Sequence, residues 1–195
     1  MEPITLAGAV ARLEPLDATH AADLYAAAQD SRIWPYLPVD PSASEAAIAE
    51  WIAAAQRERA AGGQMPFAII QCATGRAVGS TRYLNITPRD CGLEIGWTWL
   101  TPAVQRTAVN TECKYLLLRH AFESWGAIRV QLKTDRRNEA SQRAIERLGA
   151  VREGVLRKHM LVQNGYQRDT VMYSILDTEW PAVKARLEAR LGAAS

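Results

Sequence analysis

The stretch GLEIGWTWL, residues 92–100, carries a single carboxylate, Glu94, in an otherwise apolar run. Alternation along a strand places Leu93, Ile95, Trp97 and Trp99 on one face, and Glu94, Gly96, Thr98 and Leu100 on the other. The aromatic-rich face must be buried. Glu94 then either faces solvent or lines a cleft, where Gly96 leaves open space beside it and the carboxylate could act as a general base. A loop follows, Gln105-Arg106-Thr107-Ala108-Val109-Asn110, leading into a helix that the pattern starts at Asn110 or Thr111. Strand, loop and helix N-terminus together make a natural anion site, usually rich in glycine so that the backbone can approach phosphate. This loop has no glycine. It is either a plain connection or a cradle of outward-pointing amides, with Arg106 adding charge and Thr111 a hydroxyl. Glu112, in the first turn, already complements the helix dipole and counts against an anion unless its side chain points away. Asn138 opens a later helix, with Ser141 three residues on. That pair is either a helix cap beside a hydroxyl or a set of polar groups facing a ligand.

Several elements must hold these residues. A strand precedes a helix over residues 17–29, with Asp17 or Thr19 as its cap. The three prolines in residues 31–41 end that helix. A second helix starts from Ser42 or Ser44, runs through EAAIAEWIAAAQRERAA and stops at Gly62-Gly63. Strands over residues 65–73, 77–86 and 92–100, separated by turn residues, predict an antiparallel meander. The next helix reaches Trp125 and ends at Gly126. Residues 127–134 read as a strand with Ile128, Val130 and Leu132 inward. A helix over 138–148 buries Ala140, Ala144 and Leu148. Asn164-Gly165 marks a hairpin, and an amphipathic helix runs from about Glu179 to Leu191. The order predicts an α/β mixed sheet with helices on both faces.

The bulk properties exclude several classes. A net charge of +2, from 23 basic and 21 acidic residues, suggests neither a nucleic-acid nor a membrane partner. The N-terminus lacks a basic region, so a signal peptide is not expected. Cys72, Cys91 and Cys113 form no CxxC pair, and His20, His120 and His159 lack ligand spacing. Buried thiols in a reducing cytoplasm are expected, without disulfides or metal.

Three blocks carry a resemblance: LEIGWTWLTPAVQRTAVNTE, RNEASQRAIERLGAVREGVLR and NGYQRDTVMYSIL. In this order they resemble the GNAT N-acetyltransferase superfamily and, more narrowly, its RimJ/RimL-like branch. The likeness covers nearly the whole chain. It implies a single GNAT-like domain over residues 1–195, with a mostly antiparallel central sheet and helices on both faces. The family loop has the form Q/R-x-x-G-x-G/A. Gln105 takes its first position, Ala108 stands for the first glycine and Asn110 for the last, with the register set by Thr111-Glu112. The resemblance implies that this loop, with Arg106, Thr107, Val109 and Thr111, cradles the pyrophosphate of acetyl-CoA. Backbone groups of Trp97, Thr98 and Trp99 would pair with the pantetheine arm, one amide polarising the thioester oxygen. Glu94 matches a base or water-holder, Asn138 an asparagine near the pantetheine, and Ser141 a serine near the sulfur. Ile145 occupies the place where other members keep a tyrosine acid. Trp34 and Tyr36 would line the acceptor side, although both suit a core equally well.

The implied reaction is attack of a neutral amine, on a protein N-terminus or a small molecule, on the acetyl thioester. A monomer or homodimer is expected. Two alternatives stand beside it: a non-catalytic acyl-CoA-binding module on the same fold, and an unrelated α/β nucleotide-binding protein.

Overall fold

The computed structural model describes residues 3–193. Eight strands form one sheet: β1 (Leu6–Ala7), β2 (Ala11–Pro15), β3 (Gln64–Gln71), β4 (Arg76–Thr87), β5 (Gly92–Leu100), β6 (Arg129–Asp135), β7 (Val151–Val162) and β8 (Tyr166–Leu176). Their spatial order is β1-β2-β3-β4-β5-β6-β8-β7. Neighbours run antiparallel except β5 and β6. The helices are α1 (Ala21–Ala27), α2 (Glu45–Ala60), α3 (Ala108–Arg119), α4 (Glu139–Leu148) and α5 (Trp180–Gly192).

Local chemistry explains most boundaries. Ser44 caps α2 by accepting from the Ala47 N–H, and Gly62 ends it at φ +83°. Ile48, Trp51, Ile52 and Ala55 form its buried stripe. Each large apolar side chain buried this way contributes about 1.5–3 kcal/mol. Thr107 caps α3, so that helix begins at Ala108, earlier than the expected Asn110 or Thr111. Asn164 and Gly165, at φ +58° and +72°, make the tight turn between β7 and β8.

The sheet is covered on both faces. Leu116, Leu117, Val183 and Leu187 of α3 and α5, with Ile145 and Leu148 of α4, pack on Leu13, Phe67, Leu93 and Val130. On the other face, Leu24, Ile48 and Trp51 of α1 and α2 pack on Ala68, Ile70 and Trp99.

One irregularity reverses an expectation. Ser80 pairs with Trp99 while Arg82 pairs with Gly96, so β5 holds one more residue than β4 across this interval. Trp97 takes up the bulge at φ +52°. Beyond it the alternation inverts. Leu100 joins Leu93 and Ile95 in the α3 core, whereas Trp99 turns to the opposite face, its ring 5.1 Å from Trp34. Trp97 is only half-buried, with the Arg82 guanidinium 4.4 Å above its ring. Leu93, Ile95, Trp97 and Trp99 therefore do not share a face.

Smaller corrections concern burial elsewhere in the chain. Ile128 precedes β6 and is exposed, while Val130 and Leu132 are buried. On α4 the buried residues are Ile145 and Leu148; Ala140 is exposed and Ala144 half-buried. Only Cys113 is a buried thiol, since Cys72 is exposed and Cys91 half-buried.

Candidate active site

Strands β5 and β6 pair over only three residues each, Gly92–Glu94 against Arg129–Gln131. Beyond that point the bulged half of β5 turns away from β6, and a cleft of about 950 Å³ opens between them. Its walls come from β5, the loop before α3, the start of α4, and the segment between α1 and α2.

Glu94 sits where the strands part, with 1% of its surface exposed. Asn85 Nδ2, Gln131 Nε2 and Lys133 Nζ all reach its Oε2, at 2.9, 3.1 and 3.1 Å. Oε1 accepts no hydrogen bond from the described residues. A Cβ at position 96 would lie 3.0 Å from Oε1, so Gly96 keeps that oxygen accessible. Glu94 therefore lines a cleft and does not face solvent. Its partners Gln131 and Lys133 escaped the sequence reading, although the alternation that buries Val130 and Leu132 already placed them together on the other face of β6.

The loop before α3 is left-handed at one residue, Arg106, at φ +62°. Neither Ala108 nor Asn110 has a positive φ, so the missing glycines cost no backbone strain there. Gln105 Nε2 donates to the Leu100 carbonyl and braces the loop on β5. Thr107 Oγ1 donates to the Val104 carbonyl and accepts from the Val109 N–H. As first-turn residues, Ala108 and Asn110 have no intrahelical acceptor for their own N–H groups. Arg106, Thr107, Asn110 and Thr111 border the cleft. Glu112 points the other way. Its buried carboxylate accepts from the backbone N–H groups of Ala9, Val10 and Ala11 at 2.9, 2.7 and 2.6 Å. The first-turn acid thus does not compete for an anion at the helix end.

Lys114, six residues into α3, is buried in the cleft wall and donates to Thr98 Oγ1 at 2.6 Å. Burial lowers its pKa to about 8. The sequence shows it only as a polar break in TECKYLLL. Asn138 caps α4 by accepting from the Ser141 N–H at 3.0 Å. Asn138 and Ser141 both line the cleft, and Ser141 Oγ has no partner among the described residues. Ile145 lies in the same wall.

At the far end, Trp34 and Tyr36 separate. Trp34 is a core residue, its Nε1 donating to the Ala28 carbonyl, and it does not line the cleft. The expectation that it touches the acceptor is corrected, because the bulge brought Trp99 to its side. Tyr36 does border the cleft, 5.7 Å from the Arg137 guanidinium. Gln163, at the β7–β8 turn, donates to the Trp34 and Leu37 carbonyls and ties that turn to the segment beside Tyr36. Among the described residues no cluster of His, Cys, Asp and Glu could hold a metal ion, and no helix is long and apolar enough to cross a membrane.

A partly opened parallel strand pair beside a capped helix N-terminus, with a buried carboxylate at the fork, suits an acyl-CoA-dependent transferase. Residues 11–151 match the acetyltransferase (GNAT) domain family, and the chain belongs to that family, whose members transfer an acyl group from acyl-CoA. A GCN5-related N-acetyltransferase from Brucella melitensis is 32% identical with a TM-score of 0.93, over 100% of this chain and 91% of that one. The Bacillus subtilis (strain 168) protein named "Putative ribosomal N-acetyltransferase YdaF" is 29% identical over 178 residues, 88% of this chain and 92% of the relative. Mycobacterium smegmatis RimJ, solved in complex with CoA-disulfide, is 22% identical with a TM-score of 0.80, over 96% of this chain and 92% of that one, and shares the fold. The residues present fit such a cofactor: unpaired helix N-terminal amides, an exposed arginine, and a strand edge left open by the splayed pair.

Proposed function

We propose that the protein is an N-acetyltransferase that moves an acetyl group from acetyl-CoA to a primary amine, on a small molecule or a protein N-terminus. The observation that carries this reading is Glu94, whose Oε2 is held by three donors while Oε1 is left open beside Gly96. That is the arrangement a general base requires: a fixed carboxylate with one free oxygen at the wall of a cleft.

Acetyl-CoA supplies the activated thioester. The amines concerned titrate near 7.7–8.0 (α-amino) or about 10.4 (lysine), so a proton must leave before attack. Glu94 Oε1 takes it, directly or through a water. The loop over residues 105–111 holds the pyrophosphate through backbone amides, with Arg106 adding charge. The backbone of Trp97, Thr98 and Trp99 orients the pantetheine arm and offers an N–H to the thioester oxygen. Asn138 holds the start of α4 in place, and Ser141 Oγ stands as a proton donor for the leaving thiolate. Tyr36 contacts the acceptor. The chain's unpaired thiols suit a reducing cytoplasm.

The test is calorimetric titration with acetyl-CoA, with desulfo-CoA and ATP as controls, followed by thiol release across a panel of amines. Micromolar binding of acetyl-CoA and amine-dependent thiol release would support the reading. Binding without release from any amine would favour a non-catalytic acyl-CoA module. Competition by ATP but not by CoA would overturn both.

A further inference from the structure

Arg168, on β8, reaches into the cleft with only 5% of its surface exposed. Its guanidinium makes no hydrogen bond or ion pair among the described residues, and its Nε is enclosed without an acceptor. The neighbouring cations are engaged: Arg137 pairs with Asp135 at 2.8 Å, and Lys133 pairs with Glu94 at 3.1 Å. Asp135 and Glu94 act on Arg168 only through their fields, and burial pulls its pKa below the ordinary arginine value. A buried cation without a partner is costly, and such a group in a cleft marks a place where a ligand brings the missing anion.

We propose that the acceptor is a small amine that also bears a carboxylate, an amino acid or close analogue, with its carboxylate on Arg168 and its amine toward Glu94. This rests on the N-acetyltransfer reading above. The planar guanidinium fork matches a carboxylate in two parallel hydrogen bonds. A singly charged group suits the site better than a phosphate dianion, which would face the nearby charges of Asp135 and Glu94. The small-acceptor part draws on the hydrogen bonds of Gln163 to the Trp34 and Leu37 carbonyls, which tie the β7–β8 turn to the segment bordering the cleft.

The experiment titrates standard amino acids, each beside its carboxamide, into the full chain saturated with desulfo-CoA, so that binding is read without turnover. At least one amino acid should bind about tenfold or more tightly than its amide, and Arg168→Gln should abolish that preference. Arg168→Lys, which keeps the charge but loses the fork, should retain part of it. Melting curves confirm that both variants are folded. No preference for any carboxylate, or a preference that survives in Arg168→Gln, overturns the proposal. A peptide with the same N-terminal residue binding as tightly as the free amino acid overturns the small-acceptor part. Thiol release is measured in parallel and separates the two ideas. Release from amines and amides alike keeps acetyl transfer and removes the carboxylate site. Carboxylate binding through Arg168 without release from any amine keeps the anion site and removes the transfer reading.

Discussion

Lys114 Nζ lies 2.6 Å from Thr98 Oγ1, tying the second turn of α3 to the bulged end of β5. Burial holds this lysine at about 8, below its ordinary value. The folded state therefore loses the proton before the unfolded chain does. Between about pH 8 and 10.5 the unfolded state binds more protons, so this group's contribution makes stability rise with pH across that window. Lys114→Met should remove that rise. Relative to the variant, the wild type should gain on the order of 3 kcal/mol between the two ends of the window. Urea midpoints at both pH values give the comparison. A difference between the two proteins that does not change with pH would show that Lys114 is solvated.

Glu94→Gln keeps the size of the side chain but removes the carboxylate that accepts the proton. Turnover should fall by about 10²–10⁴-fold, with acetyl-CoA affinity essentially unchanged. Steady-state thiol release and calorimetry measure the two separately. Undiminished turnover would remove Glu94 from the role of base.

Glu112 supports the fold, not the cleft. Its carboxylate takes three backbone N–H groups, two from the β1–β2 turn and one from the start of β2, and it fills the space a Cβ at Gly8 would need. Glu112→Ala leaves those donors unpaired and should destabilise the protein by about 3 kcal/mol or more. Chemical denaturation measures this directly. A loss below about 1 kcal/mol would mean that water replaces the carboxylate without penalty.

Arg106 is the position in the phosphate-type loop that occupies left-handed space. Arg106→Gly relieves a conformational cost of about 1 kcal/mol, so the melting midpoint should hold or rise. Acetyl-CoA should nonetheless bind more weakly, because the loop loses a cation. Calorimetry on the variant decides it. Equal affinity would show that backbone amides alone make the cradle.

Much of the frame is legible in the residues themselves. The span of β5, a serine cap at Ser42 or Ser44, the stop at Gly62 and the turn at Asn164-Gly165 follow from local propensities acting within a few residues. So does the face of β6 that carries Gln131 and Lys133. Local pattern also narrows Glu94 to two fates, solvent or cleft, and leaves the 105–110 loop open between connection and cradle.

The choice between those fates belongs to the tertiary structure, because it depends on groups far apart in the chain. A bulge exists only as a mismatch between two strands, so nothing within GLEIGWTWL announces that Trp99 will cross to the other face and hold Trp34 in the core. Glu112 turns away from the helix end because the β1–β2 turn and the start of β2, about a hundred residues earlier, present three amides to it. Lys114 and Arg168 are ordinary cations in the sequence. They become chemically distinctive only when packing removes water from around them and offers no carboxylate in exchange. Backbone preference is local and can be read from neighbours. Desolvation and charge pairing are set by whichever surfaces the fold brings together.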